Sequence, residues 1–180
     1  ADRLREIDPL VSVVGGFALA AYEREQNPPP LPPKAPALVR SIASENGSTI
    51  DFTQMRIDTT VFTDRDYTVV RIPFALNGLP AIRTANADRD SESRAALTFE
   101  LKRPARVYVA YESTAPGLPD WLRTFTPENM QIEIEDSFAL IARVMAVYGK
   151  DFPAGTVTLG GAKARGYQGN VVVNYLVLLK

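Results

Sequence analysis

Neither cysteine nor histidine occurs anywhere in the 180 residues of this chain. Without cysteine, the chain can form no disulfide and can offer no thiolate to a metal ion. Without histidine, it lacks the side chain whose pKa lies nearest neutrality and which most often binds transition metals. Hydrolase mechanisms that pair serine or cysteine with histidine are therefore excluded. The sequence predicts a protein that is not an enzyme and that needs no cofactor.

An excess of charge of either sign is also lacking, because 20 basic and 21 acidic residues give a formal net charge of −1. Proteins that bind nucleic acids usually collect a basic excess on one face, and this chain has no run of Lys and Arg. Nucleic acid is therefore not an expected partner. Apolar residues make up 46% of the chain, and its length suits one globular domain with an appendage.

The N-terminal residues 1–26 contain an apolar run at residues 10–22. This run is shorter than the roughly 20 residues of a membrane-spanning helix. Gly15 and Gly16 weaken a helix, so a short helix and an extended strand both stay open. We interpret residues 1–26 as an arm that packs on its own domain or docks on a partner or membrane surface. The docking side chains would be Val11, Val14, Phe17, Leu19 and Tyr22.

Residues 27–36 are rich in proline, which fixes the backbone dihedral φ and lacks an N–H donor. The segment is therefore predicted to be an extended polyproline II spacer between the arm and the rest of the chain.

Residues 37–180 show short apolar segments separated by turn residues. Leu97, Phe99 and Leu101 alternate with polar residues, which is typical of a half-buried strand. The run 171–179 is apolar on both faces and predicts a central strand. Residues 138–148 also fit a helix, but a strand is favoured because Gly149 follows closely. Eight to ten such strands are typical of a sandwich or a barrel, and the prediction is an all-β domain with an antiparallel β-sandwich fold.

Two blocks of this domain carry a family resemblance. One contains Thr63-Asp64-Arg65-Asp66-Tyr67, and the other contains Pro119-Asp120-Trp121-Leu122 and the run from Asp151 to Gly161. Over about residues 57–180, the chain resembles a β-sandwich accessory module found near the ends of secreted bacterial polysaccharide lyases and other glycan-associated proteins. The resemblance implies a jelly-roll-like fold, an extracytoplasmic location and a non-catalytic role related to carbohydrate. Residues 1–56 have no counterpart in it.

Four side chains are candidate contacts for a polysaccharide. Aromatic side chains combine an apolar face with a polar tip, and arginine donates several hydrogen bonds. For Trp121, the alternative is a structural role in which the indole covers the open end of the sandwich. The candidates are Trp121, Tyr108, Tyr111 and Arg83.

The remaining candidates are residues with side-chain oxygens, which can bind a metal ion or act as acid–base catalysts. Asn86, Asp88 and Asp90 stand at alternate positions and can offer oxygen ligands to calcium, although the glycine and distal glutamate of an EF-hand loop are missing. The alternative is a hydrogen-bonded polar loop. Glu133 and Glu135 share one strand face, which is more typical of a solvated surface than of a glycosidase pair.

Three functions are compatible with these features. The arm and spacer favour a structural docking subunit of a larger extracytoplasmic assembly, whose partners are other proteins, with a membrane-associated complex among the alternatives. A carbohydrate-binding accessory module, with polysaccharide as its partner, is the second interpretation. A glycan-active enzyme is a remote third.

Overall fold

The computed structural model describes residues 35–180, and this part of the chain is an all-β, antiparallel β-sandwich, as predicted. Three short 3-10 helices are the only helical elements described, and none of the described helices is long and apolar enough to cross a membrane. The strands are β1 (Val39–Ser44), β2 (Asp51–Gln54), β3 (Tyr67–Arg71), β4 (Pro80–Arg83), β5 (Leu97–Leu101), β6 (Ala105–Glu112), β7 (Thr126–Asp136), β8 (Ala142–Phe152), β9 (Gly155–Leu159) and β10 (Leu176–Leu179).

The smaller sheet has three strands in the order β1-β5-β9. Leu97 pairs with Leu159, and Phe99 pairs with Val157. These four side chains are buried, whereas the intervening Thr98 is partly exposed. The predicted alternation on β5 is confirmed, and its apolar face forms one wall of a core between the two sheets.

The larger sheet has seven strands in the order β2-β4-β10-β6-β8-β7-β3. Strand β10 lies between β4 and β6, so the central strand predicted from the apolar run 171–179 is confirmed for residues 176–179, whereas residues 171–175, most of them buried, lie outside the strand. Val177 and Leu179 face the core between the sheets, while Leu176 and Leu178 belong to a second core on the opposite face. The run is apolar at successive positions because both faces of β10 are buried.

The second core lies on the opposite face of the larger sheet, where residues 58–63 run from β3 to the end of β4 and contribute Val61 and Phe62 to it. The backbone of residues 58–61 is hydrogen-bonded to β3, whereas residues 62 and 63 pair with Thr84, directly after β4. Phe62 packs edge-on against Tyr67 with a centroid separation of 5.7 Å. In a sandwich whose outer face is solvated, the residues on that face are polar. Here they are apolar and buried in a second core, which was not predicted from the sequence.

The segment 138–148, for which a strand was favoured over a helix, is divided between a turn and β8. Phe138 lies in the β7–β8 turn and is fully exposed, together with the largely exposed Leu140. The Asp136 carboxylate accepts the backbone N–H groups of Phe138 and Ala139 at 2.9 and 3.0 Å, and these two bonds lower the pKa of Asp136. The Asp136 carboxylate thereby stabilises the turn on which Phe138 and Leu140 are exposed.

The predicted arm, with Val11, Val14, Phe17, Leu19 and Tyr22, lies outside the described residues, as does the proline-rich spacer up to residue 34. The fold therefore bears only on the predicted domain 37–180.

Candidate functional site

A depression of about 430 Å³ lies beside Trp121, on the side of the sandwich where β9 ends. Three chain segments form it: residues 92–94 before β5, residues 119–121 before β7 and residues 161–165 after β9. Its walls carry one aromatic ring and several charged side chains. The lining residues are Glu92, Ser93, Arg94, Pro119, Asp120, Trp121, Gly161, Lys163 and Arg165.

The Trp121 indole is held on several sides. Its Nε1–H donates to the carbonyl oxygen of Gly161 at 2.9 Å. Phe125 and Tyr175 pack edge-on against it, with ring centroids 5.8 and 5.4 Å away. The ring is partly buried against the core between the sheets and also lines the depression. Trp121 therefore has a structural role at the edge of the sandwich and is also the aromatic wall of the candidate site.

The glycine pair after β9 allows this close packing. A Cβ atom at position 160 would collide with the Cδ1 atom of Trp121, and one at Gly161 would collide with the carbonyl oxygen of Ser91. The backbone N–H of Gly161 also donates to the carbonyl oxygen of Ser93 at 2.8 Å. Only glycine lets the backbone approach the indole and the 91–93 segment this closely.

Tyr111 supports the depression from inside the core. Its hydroxyl lies 2.8 Å from the carbonyl oxygen of Ala162 and 2.9 Å from that of Gly117, and it can donate to either. Burial raises the pKa of Tyr111 to about 12, with the neighbouring charge of Glu112 as a second cause. The neutral phenol thus ties the loop after β9 to the loop that carries Trp121.

Some of the charged side chains that line the depression form ion pairs, and others do not. Lys163 lies 3.1 Å from the Glu92 carboxylate, and Asp120 lies 3.5 Å from Arg123, which is just outside the lining. Arg165 donates from Nε to the backbone carbonyl of Glu92 at 3.1 Å. Among residues 35–180, neither Arg94 nor Arg165 has a carboxylate within 4 Å. The site therefore combines an aromatic wall with guanidinium groups that can still bind a ligand.

The structure separates Trp121 from the three other residues predicted to contact a polysaccharide. Tyr108 and Tyr111 are only 6% and 3% exposed, so neither ring presents a face to a ligand at the surface. Arg83 is half-buried, with its guanidinium 3.2 Å from the Asp51 carboxylate and 2.6 Å from the carbonyl oxygen of Phe62. These three side chains serve the fold, and none of them lines the depression.

The calcium candidates are engaged by other protein groups. Residues 86–90 form a 3-10 helix, in which the Asn86 side-chain oxygen accepts the backbone N–H of Asn174 at 2.8 Å. Asp88 accepts hydrogen bonds from Asn46 and Ser48 at 3.1 and 3.0 Å, while Asp90 lies 3.7 Å from its neighbour Arg89. Within the described range, no group of three or more Asp or Glu side chains is arranged to hold a metal ion. A calcium site here stays a prediction.

A larger cleft of about 800 Å³ opens where β3 ends and β7 bulges away from β8. Its aromatic residue, Tyr148, is partly buried, and its cation, Arg71, lies 3.0 Å from Glu133. The one arginine that lines this cleft already has a carboxylate partner, whereas Arg94 and Arg165 in the smaller depression have none. The smaller depression is therefore the better candidate site.

Sequence reasoning missed Arg94, Lys163 and Arg165. The available signal was weak: basic residues at alternate positions after the Gly160-Gly161 pair. Their proximity to Trp121 depends on the pairing of residues 91–93 with residues 161–163. That pairing joins segments about 70 residues apart in the sequence, and no local sequence pattern predicts it.

No family model and no curated protein matches the sequence. Among solved structures, a β-glucuronidase from glycoside hydrolase family 2 is similar, with a TM-score of 0.69 and 22% identity over 84% of this chain and 16% of that chain. A family 138 glycoside hydrolase that targets pectin rhamnogalacturonan II has a TM-score of 0.51 and 16% identity over 92% of this chain and 19% of that one. The chain thus spans less than a fifth of either enzyme. These likenesses concern the fold: this β-sandwich is similar to domains of glycoside hydrolases, in agreement with a glycan-associated β module, and no specific accessory-module family is identified.

Proposed function

We propose that the chain is a non-catalytic carbohydrate-binding module and that it binds sugar in the Trp121 depression. The observation that carries the proposal is the combination of a fixed indole with hydrogen-bonding side chains around one concave surface. Ligand sites in proteins usually combine apolar or aromatic walls with a few polar groups that orient the ligand. A sugar ring matches this arrangement, since its C–H groups pack on an aromatic face while its hydroxyls seek donors and acceptors.

The fold supports the proposal. Structurally similar domains belong to a β-glucuronidase and to an enzyme that targets pectin, and the resemblance of residues 57–180 to modules of glycan-associated proteins agrees with them. Function belongs to sites rather than to folds, so the argument depends on Trp121 and its surroundings. Because polysaccharides are found mainly outside the cytoplasm, the proposal includes an extracytoplasmic location.

The proposal also assigns no reaction to the site. The two carboxylates that line the depression, Glu92 and Asp120, each face a basic partner at 3.1 and 3.5 Å. A glycosidase uses two carboxyl groups that flank the scissile bond and perform different acid–base roles. Carboxylates that each neutralise a neighbouring cation are better explained as structural groups. Sustained release of reducing sugar by the purified chain would contradict this part of the proposal.

Trp121 provides a direct test because it is the single tryptophan of the chain. We expect a bound oligosaccharide to change the intensity or wavelength of the intrinsic tryptophan fluorescence, and the titration to give the same Kd as calorimetry. The variant Trp121→Phe should keep the fold and bind more weakly. Phe74→Ala is the matched control, because Phe74 is an almost fully exposed aromatic residue that does not line the depression. If no glycan in a broad panel binds, or if binding leaves Trp121 unaffected, the proposal is wrong.

A second candidate is the docking subunit, which the apolar β7–β8 turn favours. Phe138 is fully exposed, and Leu140 and Ile141 are at least half exposed. Side chains of this size on one turn are unusual at a free protein surface and are typical of contact sites. Purification of the native protein and its Phe138→Ser/Leu140→Ser variant, followed by mass spectrometry, tests this candidate. A stoichiometric partner that the variant loses would support docking, and a lone monomer in both cases would contradict it.

A further inference from the structure

We propose that the Trp121 depression selects an acidic sugar, one that carries a carboxylate or a sulfate, and that the guanidinium groups of Arg94 and Arg165 bind the acidic group. This inference rests on the proposed carbohydrate-binding function and specifies the ligand class of the same site.

The first argument is the pairing of charges. Most arginines of the described domain have a carboxylate within 4 Å, and these pairs lie on several different strands and loops. The paired arginines are Arg40, Arg71, Arg83, Arg89, Arg106, Arg123 and Arg143. The other described arginines, Arg56, Arg65, Arg94, Arg103 and Arg165, have no carboxylate within 4 Å, and of these only Arg94 and Arg165 line the depression. Two guanidinium groups without a carboxylate partner in one concave site give it a local excess of positive charge on a chain whose net charge is −1.

The second argument is positional. The backbone N–H groups of Gly161 and Lys163 donate to the carbonyl oxygens of Ser93 and Ser91 at 2.8 and 3.0 Å. These bonds fix the segment that carries Arg165 beside the segment that carries Arg94. Arg165 is further held by its Nε bond to the carbonyl oxygen of Glu92. Its two terminal nitrogens have no hydrogen-bond partner among residues 35–180 and remain free to donate to a ligand.

The third argument concerns the negative charge already present. Glu92 would repel an acidic ligand, but Lys163 lies 3.1 Å from its carboxylate and offsets that charge. Asp120 is almost fully exposed and lies next to Arg123. With both carboxylates matched by cations, the two arginines determine the charge preference. The planar guanidinium group binds carboxylate and sulfate oxygens with two parallel hydrogen bonds, and it does so more specifically than an ammonium group.

The test compares acidic polysaccharides with their neutral counterparts. The full chain is titrated with polygalacturonate and alginate, each beside its carboxyl-reduced form, and with a sulfated galactan beside its desulfated form. We expect at least one acidic polymer to bind and its neutral counterpart to bind at least about tenfold more weakly. The carboxylate and sulfate arms distinguish the two acidic groups. Added salt should weaken the binding of the acidic polymer but not that of a neutral one.

Matched variants separate a specific site from general attraction. The double variant Arg94→Gln/Arg165→Gln should lose about tenfold or more in affinity for the acidic polymer. Lys102→Gln/Arg103→Gln removes the same charge from the β5–β6 turn, outside the lining residues, and should bind like the wild type. Equal losses in the two double variants would overturn the inference.

The result also distinguishes this inference from the function on which it rests. If neutral polymers bind as tightly as acidic ones and the Arg94/Arg165 variant is unaffected, the module binds sugar but the acidic preference is wrong. If no polymer binds, whether acidic or neutral, both ideas fail.

Discussion

The indole Nε1–H of Trp121 donates a hydrogen bond to the carbonyl oxygen of Gly161, 2.9 Å away. The preceding residue, Gly160, lies so close to the ring that a Cβ atom there would collide with it. The tryptophan and the glycine pair therefore fit each other, although 40 positions separate Trp121 from Gly161. The orientation of the aromatic wall depends on this contact, and changes in either partner should alter the site.

Gly160→Ala is expected to destabilise the domain by about 1–3 kcal/mol, because an extra methyl group in a packed region forces its neighbours to move. Since the neighbour is the single tryptophan, the fluorescence of Trp121 should shift towards that of a more exposed indole. Urea denaturation measures the first effect and emission spectra the second. The double variant Gly160→Ala/Trp121→Leu is the control: it should be less destabilised than the sum of the two single changes, because the smaller side chain relieves the collision. Simple additivity would contradict the proposed contact.

Tyr111→Phe is expected to cost about 1 kcal/mol of stability at neutral pH through loss of the buried hydrogen bond to Ala162 or Gly117. The cost should change with pH in a defined direction. The pKa of Tyr111 is about 12 in the folded chain and about 10 in an unfolded one. Between these values the unfolded chain has released the proton and the folded chain has not, so rising pH favours unfolding.

The stability of the wild type should therefore fall more steeply than that of Tyr111→Phe as the pH rises from about 10 to 12. Tyr67 and Tyr175, whose pKa values are also raised by burial, titrate in both proteins and cancel in the comparison. Urea titrations at a series of pH values measure the difference. A pH-independent difference between the two proteins would show that the hydroxyl is not in a desolvated site.

Asn174→Ala is expected to destabilise the domain by about 2 kcal/mol or more, because it leaves buried polar groups without partners. The Asn174 side chain donates to the carbonyl oxygen of Ala85 and to the hydroxyl of Thr84, and it accepts the backbone N–H of Tyr175. Asn170→Ala is the matched control, since Asn170 is exposed and should change stability by less than about 0.5 kcal/mol. Equal effects at the two positions would contradict the buried network.

The sequence predicted those parts of the fold that depend on local periodicity. Leu97, Phe99 and Leu101 alternate with polar residues because one face of β5 is buried. Such a pattern can be recognised without knowledge of the partner strand. Strand β6 was harder to interpret. Tyr108 and Tyr111 point to opposite faces of the larger sheet, and both faces are covered by a core. Alternation then no longer distinguishes the buried face from the exposed one, and both tyrosines predicted to contact a polysaccharide are buried.

The candidate site was predicted only in its aromatic member, Trp121. Arg94 and Arg165 reach it through the backbone bonds between residues 91–93 and 161–163, which are contacts between distant parts of the chain. The same holds for two of the three predicted calcium residues: Asn86 accepts a hydrogen bond from Asn174, and Asp88 accepts hydrogen bonds from Asn46 and Ser48, all from other loops. Local spacing identifies the residue types, but tertiary pairing decides which of them still have free hydrogen-bonding groups.

Glu112 provides a prediction about a buried charge. Its carboxylate accepts the backbone N–H of Val172 at 2.9 Å and the hydroxyl of Thr114 at 3.1 Å, and it lies 3.6 Å from the guanidinium of Arg143. The Glu112 side chain is only 2% exposed. Glu112→Ala would leave the N–H of Val172 and a largely buried cation unpaired, so we expect a loss of about 3–5 kcal/mol in the free energy of unfolding.

Glu133 gives the matched comparison, because it forms a more exposed pair with Arg71 at 3.0 Å on the edge of the same sheet. Glu133→Ala should cost at most about 1 kcal/mol, since solvent screens an exposed pair and can solvate the remaining cation. Glu112→Gln should fall between the two, because the amide oxygen can still accept the Val172 N–H while the charge that faces Arg143 is lost. Chemical denaturation of the three variants measures their free energies of unfolding and so tests this order. If Glu112→Ala costs no more than Glu133→Ala, water reaches the carboxylate, and the end of β6 is more open than its packing indicates.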